Sequence, residues 1–390
     1  MLVRLALILA VTLGAAVLTP PSAASAQEAC GAAPAASDDW EVARPDEVGI
    51  DPAALCAVAE RLRANDRPNL HSVVIVRHGK LVFEAYASGA DWIWGTDVGV
   101  VAYDAAMPHD VRSVTKSVVS LLFGIALDAK LIAGIDEPVL SFFPDYPDLR
   151  TPEKQRILLH HLLTMTDGLF WNESVAFNSP LNDERQMYAS PDQYRYVLER
   201  RVGYAPGTRW EYSSGATALL GKVIEKATGM RLDVFARQVL FEPLGIREVD
   251  WMTLANSDPI AGGGLRLRPR DMAKIGQLIL NGGEWKGRRI VSAEWVKQSI
   301  EPRFQGWSGM RYGYQWWSGF SKTAGGPLAW IAAIGLGGQR IFIVPALDLV
   351  LVSTAGLYRN EAQGYYARAI LEDDVIPAIG HDGPSAPPPR

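Results

Sequence analysis

Segments with the pattern of β-strands lie at both ends of the chain, and helical patterns fill the middle. Near the N-terminus, apolar runs at residues 72–76 and 80–86 flank Arg77-His78-Gly79, which is typical of a β-hairpin. Strand patterns return after residue 310, at residues 313–317, 329–334, 340–344 and 349–353. Strands at both ends with helices between them favour one antiparallel sheet to which both ends of the chain contribute. We therefore predict an α/β (α+β) fold in which helices flank that sheet.

The middle of the chain, about residues 118–280, is predicted to be a mainly helical insert. Helical spacing of apolar residues occurs at residues 138–143, 155–165, 192–200, 216–228, 232–240 and 269–280. Two helices are predicted outside the insert, at residues 52–64 and 360–376, and Pro377 would end the second. Residues 87–110 and 167–191 read as loops, and long ordered loops are often functional. We expect the active site where the sheet meets the insert.

The first 26 residues resemble an export signal. Arg4 supplies the positive end, residues 5–17 are apolar, and Ala24-Ser25-Ala26 offers a small-residue cleavage site. The apolar run is short for a membrane span. We expect cleavage near Ala26 and a periplasmic or secreted protein without stable membrane insertion after cleavage. An uncleaved N-terminal anchor is the alternative.

After the signal, the sequence predicts a short leader, one folded domain and a tail. Residues 27–40 are Ala-rich and expected to be flexible, residues 41–380 form the domain, and the Pro-rich residues 381–390 are expected to be disordered. Cys30 and Cys56 are the only cysteines of the chain. An even pair in an oxidising compartment favours a disulfide between them.

Charge and motifs exclude several classes of protein. The net charge of −5 and the lack of a basic run argue against nucleic-acid binding. The sequence contains no Gly-x-Ser-x-Gly, no His-Glu-x-x-His and no glycine-rich phosphate loop with a lysine. His160 and His161 are adjacent and point to different sides of a helix, so we predict no metal and no cofactor. With no clear partner for any histidine, a lysine becomes the attractive general base.

Ser113 and Lys116 are candidates for nucleophile and base. They are three residues apart at the start of an apolar helical run, so they project from the same side of its first turn. The positive end of the helix dipole would favour an oxyanion and lower the pKa of the lysine. The alternative is an N-cap serine followed by a solvated lysine.

Two further segments offer the groups that this pair lacks. Tyr212 lies in a loop before the helix predicted at residues 216–228 and would relay a proton, although it could equally be a half-buried tyrosine beside a helix. Residues 333–339, Ala-Ile-Gly-Leu-Gly-Gly-Gln, join two strong strand patterns. A backbone N–H from this segment, paired with that of Ser113, would make an oxyanion hole. A bulged strand without a ligand is the alternative.

In this order, Ser113-Val114-Thr115-Lys116, Tyr212-Ser213-Ser214 and a glycine-containing strand before a C-terminal helix resemble the serine β-lactamase-related hydrolases. That family includes class C β-lactamases, D,D-peptidases, family VIII carboxylesterases and 6-aminohexanoate-dimer hydrolases. Further signposts of the family occur at residues 162–169, 206–208, 241–246 and 263–267. The resemblance covers nearly the whole mature chain and implies a β-lactamase/transpeptidase-like fold for residues 41–380.

The resemblance also implies roles for single residues. Ser113 would be the acylated nucleophile, Lys116 its general base and Tyr212 the end of the proton relay. The oxyanion donors would be the N–H groups of Ser113 and Leu336, with Gly338 as a competing assignment for the second. Gly335 and Ser214 would line the same site.

Two positions depart from the family's β-lactamases and D,D-peptidases. Ala333 stands where those enzymes usually carry a Lys or His that faces a substrate carboxylate, and Ser214 stands where they usually carry Asn. Both changes resemble the esterase and aminohexanoate-oligomer hydrolase branch.

We therefore predict a serine hydrolase that cleaves a small ester, amide or peptide-like substrate through an acyl-enzyme. Candidate pocket walls are Trp171, Tyr188 and Trp330, and Asp183 is a candidate for binding a substrate amine, although core packing and a solvated acid are the respective alternatives. A β-lactamase or D,D-carboxypeptidase, and a penicillin-recognising sensor with little turnover, are the competing functions. No nucleic-acid partner is expected, and the pattern does not indicate an oligomeric state.

Overall fold

The computed structural model describes residues 31–380, and its centre is one nine-stranded sheet. The strands, numbered in chain order, are β1 Glu41–Val42, β2 Leu70–Arg77, β3 Lys80–Tyr86, β4 Ser88–Ile93, β5 Thr96–Ala102, β6 His109–Asp110, β7 Asp250–Trp251, β8 Leu265–Leu267, β9 Glu284–Trp285, β10 Arg288–Arg289, β11 Phe304–Gln305, β12 Arg311–Tyr312, β13 Trp317–Thr323, β14 Gly326–Gly335, β15 Gln339–Val344 and β16 Leu349–Ala355.

The large sheet is built from both ends of the chain, as predicted. Its strand order is β1-β3-β2-β16-β15-β14-β13-β12-β11, so the N-terminal hairpin joins the C-terminal strands where β2 pairs with β16. That pairing is antiparallel and sets Val76 opposite Val350. Only β1 joins in parallel, beside β3. The remaining strands form a hairpin of β4 and β5, a hairpin of β9 and β10, and a small sheet of β6, β8 and β7.

Helices cover both faces of the sheet. They are α1 Pro52–Ala64, α2 Val114–Asp128, α3 Leu159–Thr164, α4 Asp183–Ala189, α5 Gln193–Glu199, α6 Ser214–Thr228, α7 Leu232–Ala236, α8 Pro269–Leu280, α9 Ala293–Ile300, α10 Gln363–Ala369 and α11 Ile376–Ala378.

Alternation along the strands creates two apolar cores. Val74, Val76 and Val350 face the core that α2, α6 and α8 complete. Their neighbours Val73 and Ile75 face the opposite core, together with α1 and the C-terminal helices. α8 lies close to the sheet, since a Cβ atom at Gly276 would come within 2.5 Å of Val350.

Three sequence predictions about strands and loops are wrong at least in part. Residues 87–110 are not a loop, because β4, β5 and β6 lie there. Residues 167–191 are not a loop throughout, because α4 lies at Asp183–Ala189. Residues 313–316 are not a strand, and the strand begins only at Trp317. Their aromatic side chains are buried, but their backbone bonds elsewhere: Tyr314 N–H donates to Ser299 and Gln315 N–H to Leu163. The apolar run therefore predicted correctly that these side chains are buried and predicted incorrectly that their backbone pairs in the sheet.

The predicted helices lie at the predicted positions, but some of them differ in length or type from the prediction. α1 and α8 begin and end at the predicted residues, and the Asp51 side chain caps α1 by accepting from the Ala53 N–H. The segment at residues 138–143 is a short 3₁₀ turn, Val139–Phe142, rather than an α-helix. Pro377 does not end the last helix: α10 continues through a π-helix at Ile370–Val375 into α11, and Pro377 lies inside this run, one residue before its end at Ala378.

Cys56 is buried in α1 and disulfide-bonded. Cys30, the other cysteine of the predicted bridge, lies outside the described residues. The predicted signal segment and the tail at residues 381–390 also lie outside them. Across residues 31–380, none of the helices has the length and apolar character needed to cross a membrane.

Candidate active site

Ser113 lies at the N-cap of α2, at the meeting point of the sheet and the helical insert. The backbone before it is held by the Val111 N–H, which donates to Leu265 of β8 at 3.0 Å. Arg112 has a φ of 50°, a left-handed conformation that costs energy in a residue with a side chain. An ion pair with Asp110 at 3.3 Å and the face of the Tyr358 ring at 4.8 Å hold the Arg112 guanidinium. The chain therefore turns sharply just before Ser113.

Lys116 is buried one helical turn after Ser113, and its amine points at three oxygen atoms. The Nζ atom lies 3.0 Å from Ser113 Oγ, 3.0 Å from Ser214 Oγ and 2.5 Å from the carbonyl oxygen of Gly262. The side chain is 1% exposed. Lys116 is therefore a fixed neighbour of Ser113 and not the solvated lysine of the alternative interpretation.

Opposing effects act on the pKa of Lys116. Burial lowers the pKa, and the neighbouring Tyr212, Glu173 and Glu184 raise it, with a net increase. The lowering that the helix dipole alone would cause is therefore outweighed by the acidic surroundings. A base with a raised pKa takes up the Ser113 proton strongly once it is neutral.

Tyr212 approaches the pair from the loop before α6. Its ring lies 5.0 Å from Lys116 Nζ, measured to the ring centroid. Four aromatic side chains surround that ring, and they are Trp210, Trp307, Tyr312 and Trp317. Burial raises the pKa of Tyr212, whereas the charge of Lys116 and hydrogen bonding to Ser113 and Lys116 lower it, with a net increase. The hydroxyl is therefore neutral, and its oxygen can accept hydrogen bonds from both predicted partners.

Ser214 joins the cluster, and Glu173, which the sequence prediction missed, lies behind it. Ser214 Oγ donates to Glu173 Oε2 at 3.1 Å, and the Ser214 N–H donates to Glu173 Oε1 at 2.5 Å. Burial and the Glu184 carboxylate raise the pKa of Glu173 to about 8, against the lowering effect of Lys116. The only sequence signal for Glu173 was its place in the polar loop at residues 167–191.

The glycine at the end of β14 reaches the start of α2. A Cβ atom at Gly335 would lie 2.2 Å from the carbonyl oxygen of Val111, so only glycine allows the approach. Leu336 follows directly and is 48% exposed. Gly338 instead faces β16, because its carbonyl accepts from Ser353 Oγ at 3.2 Å and a Cβ atom there would meet Ala355.

The remaining predicted residues lie at varying depth. Trp171 is 5% exposed, and its ring packs closely against Gly215, since a Cβ atom at Gly215 would lie 2.8 Å from the ring. Tyr188 is closer to the site, since a Cβ atom at Gly262 would lie 3.2 Å from its hydroxyl. Trp330 is buried in the second core beside Phe342.

Asp183 is part of a local network of hydrogen bonds. Its carboxylate accepts from the Asn172 N–H at 2.8 Å and from the Tyr196 hydroxyl at 2.7 Å. Arg200 lies 3.4 Å from it. These partners anchor the loop at residues 167–191 to α5.

His71, Asp91 and His109 form a buried group outside the Ser113 cluster, with residue types that can bind a metal. The His71 Nδ1 and His109 Nε2 atoms are 2.9 Å apart, whereas two ligands of one tetrahedral zinc ion lie about 3.3 Å apart. His109 Nε2 is 3.8 Å from Asp91, whose carboxylate also accepts from Tyr103. Burial lowers the pKa of His71 to about 3. The spacing is that of a buried hydrogen-bond network.

Known proteins resemble the chain over most of its length. A family model described as Beta-lactamase matches residues 57–373. Esterase EstB of Burkholderia gladioli is 28% identical over 221 residues, which cover 54% of this chain and 55% of EstB, so the chain spans about half the length of that relative. The 6-aminohexanoate-dimer hydrolase of Paenarthrobacter ureafaciens is 24% identical over 278 residues, 66% of this chain and 69% of that one.

A solved structure shows the same fold. The structure described as "EstCE1, a hydrolase with promiscuous acyltransferase activity" covers 81% of this chain and 97% of its own, with a TM-score of 0.62 and 16% identity. The predicted β-lactamase/transpeptidase-like fold and the predicted family resemblance are confirmed. The chain belongs to the Beta-lactamase family.

Proposed function

We propose that this member of the Beta-lactamase family is a serine hydrolase that cleaves a small ester or amide through an acyl-enzyme on Ser113. The observation that carries the proposal is the 3.0 Å contact between Lys116 Nζ and Ser113 Oγ, in a cluster that also holds Tyr212. A buried amine beside a hydroxyl is the arrangement in which a lysine activates a serine.

In the first half of the reaction, neutral Lys116 takes the proton of Ser113 as Oγ bonds to the substrate carbonyl carbon. The π electrons of the carbonyl move to its oxygen, which the N–H groups of Ser113 and Leu336 stabilise. The oxyanion then collapses, the bond to the leaving group breaks, and the leaving group receives a proton from Lys116 through Tyr212. Water repeats these steps on the acyl-enzyme with the same two residues, which releases the acid.

Leu336 is the better of the two predicted oxyanion donors. It directly follows Gly335, whose Cα lies against Val111, two residues before Ser113. Gly338 is turned toward β16 by its bond from Ser353. These contacts support a hole made by the N–H groups of Ser113 and Leu336.

An apolar substrate suits the surroundings of Tyr212. Trp307 is 49% exposed, and its ring lies 4.6 Å from that of Tyr212. Leu336, the proposed oxyanion donor, also exposes an apolar side chain. Ala333, at the third-motif position, is buried in an apolar core and supplies no charge for a substrate carboxylate. These observations favour an ester or amide without a carboxylate at that place, in line with the esterase and amide hydrolase among the relatives.

The proposal includes a place of action outside the cytoplasm. Its support is the sequence pattern of Arg4, the apolar residues 5–17 and Ala24-Ser25-Ala26. Sequencing the N-terminus of protein recovered from the periplasm or medium tests it. A mature chain that starts near Gln27 is expected, and an intact Met1 in a cytoplasmic fraction would contradict it.

Substrate class is tested by comparing a short-chain p-nitrophenyl ester, a linear amide and nitrocefin, each with wild type and Ser113→Ala. We expect ester or amide turnover that exceeds nitrocefin turnover and is lost in Ser113→Ala. Efficient nitrocefin turnover without ester or amide cleavage would establish the β-lactamase alternative instead. Binding of penicillin without turnover of any substrate would establish the sensor.

A further inference from the structure

Glu173 contacts no atom of the proposed nucleophile or base, yet its carboxylate fixes the residue next to them. Oε1 accepts from two N–H groups, those of Ser214 and the Trp171 indole, both at 2.5 Å. Oε2 accepts from the Ser214 hydroxyl at 3.1 Å. Above its pKa of about 8 the Glu173 carboxylate is ionised and can only accept, so the single hydrogen of Ser214 Oγ then points at Glu173 and Ser214 turns a lone pair toward Lys116.

This orientation determines where the hydrogens of Lys116 point. A neutral amine has two hydrogens and one lone pair. The carbonyl oxygen of Gly262 can only accept, and Ser214 Oγ, with its hydrogen on Glu173, also acts as an acceptor for Lys116. Both amine hydrogens are thereby occupied, and the lone pair is left for the two hydroxyl groups that can donate to it, those of Ser113, with Oγ at 3.0 Å, and Tyr212.

We propose that Glu173 is a positioning residue for the reaction: through Ser214 it directs the lone pair of neutral Lys116 at the Ser113 hydroxyl. The inference rests on the proposed function, since it assigns Lys116 as base and Ser113 as nucleophile. It adds a residue from the loop at residues 167–191 whose role follows from the direction of hydrogen bonds.

Replacing the carboxylate by an amide reverses that direction. In Glu173→Gln, the amide oxygen can still accept from the Ser214 and Trp171 N–H groups, so the amide nitrogen faces Ser214 Oγ as a donor. The Ser214 hydrogen then turns to its other neighbour, the Lys116 lone pair. That lone pair is no longer free for Ser113, although size and packing are unchanged.

The test measures, at a pH above the Glu173 pKa of about 8, how fast a fluorophosphonate labels Ser113 and how fast a p-nitrophenyl ester is turned over. For Glu173→Gln we expect labelling and kcat to fall about 10- to 100-fold, with KM within about twofold of wild type. Glu184→Gln is the matched control, because this substitution removes the same charge from the same region. The Glu184 carboxylate accepts from the Tyr188 hydroxyl and not from Ser214. Glu184→Gln should label at least as fast as wild type.

A double-mutant cycle separates this role from a structural one. Ser214→Ala should itself label roughly tenfold more slowly, because one amine hydrogen loses its acceptor. In the Ser214→Ala background, Glu173→Gln should change the rate less than about threefold. A full additional loss in that background would overturn the inference, as would wild-type labelling of Glu173→Gln. If Glu173→Gln does not fold, Ser214→Ala decides the matter by itself: labelling of Ser214→Ala at the wild-type rate would overturn the inference.

The proposed function fails by a different result. If wild type is not labelled at Ser113 and Ser113→Ala turns over the ester normally, the nucleophile is wrong and the role of Glu173 falls with it. If wild type is labelled at Ser113 and the Glu173 and Ser214 variants match it, the function stands and only the inference is overturned.

Discussion

At the scale of single residues, the proposed chemistry depends on the small number of hydrogen-bond directions that are open to the Lys116 amine. Three oxygen atoms surround Nζ, and two of them are oriented as acceptors. Tyr212 closes the cluster with a phenol that burial keeps neutral. A leaving group needs a proton at this point, and a neutral phenol next to an ammonium can deliver one.

Removal of the Tyr212 hydroxyl should slow the reaction without loosening the fold. Tyr212→Phe keeps the ring among Trp210, Trp307 and Trp317, so we expect kcat to fall about 100-fold or more while the melting temperature stays close to that of wild type. Tyr312→Phe is the control, because that ring belongs to the same aromatic group. Steady-state kinetics on one ester check the pair, and equal losses in both variants would refute the relay.

At the scale of secondary structure elements, the site exists because the end of β14 meets the start of α2. No side chain separates Gly335 from the Val111 carbonyl. The strand can therefore bring the Leu336 backbone beside the turn that carries Ser113. A single methyl group at this contact would push the two elements apart.

We expect Gly335→Ala to reduce Ser113 labelling by on the order of 100-fold, because loss of one oxyanion donor costs about that much. Gly325→Ala is the control: Gly325 lies in the turn between β13 and β14, where a Cβ atom would meet only Thr323 at 3.8 Å. Labelling rates and thermal melts of both variants test the contact. An active Gly335→Ala would show that the strand does not contribute to the reaction.

Elements with strong local signals could be predicted from the sequence. Asp51 and Pro52 mark the start of α1. The helical pattern that follows Ser113 predicts that Lys116 lies on the same side of the first turn of α2 as Ser113. Glu173 could not be predicted, because its partner Ser214 is 41 residues away and no local pattern joins them. The hairpin of β4 and β5 was missed because β5 is largely exposed and β4 is mostly half-buried, so neither strand shows an alternating apolar pattern.

At the scale of the whole molecule, two apolar cores hold the sheet that supports the site, and some buried charges oppose that stability. Asp167 is 6% exposed, follows α3 and accepts from the Leu169 N–H at 2.9 Å. Burial raises its pKa from 3.8 to about 6. The folded state therefore binds this proton more tightly than the unfolded state does.

The free energy of unfolding of the wild type should therefore fall, relative to that of Asp167→Asn, as the pH rises. The contribution of Asp167 to stability is complete below the unfolded pKa and is lost as the pH rises through the folded pKa of about 6. Asp167→Asn keeps an acceptor for Leu169 and cannot ionise, so relative to wild type it should gain on the order of 3 kcal/mol between acid and neutral pH. Urea unfolding on both sides of that window measures the difference.

Asp148→Asn is the control for that series. Hydrogen bonding to Arg195 lowers the pKa of the Asp148 carboxyl, so the stability it contributes is present at neutral pH and lost in acid. Its variant should shift in the opposite direction to Asp167→Asn. Parallel shifts in the two variants would mean that burial of Asp167 is not the cause.

The proposed acyl-enzyme on Ser113 can be trapped and located in the chain. Wild type is mixed with a slowly deacylated ester, quenched in acid and digested, and the peptides are sequenced by mass spectrometry. We predict the mass of the acyl group on Ser113, and no adduct on the corresponding peptide of Ser113→Ala, which should also be inactive. An acyl group on another residue, or full turnover by Ser113→Ala, would contradict the account.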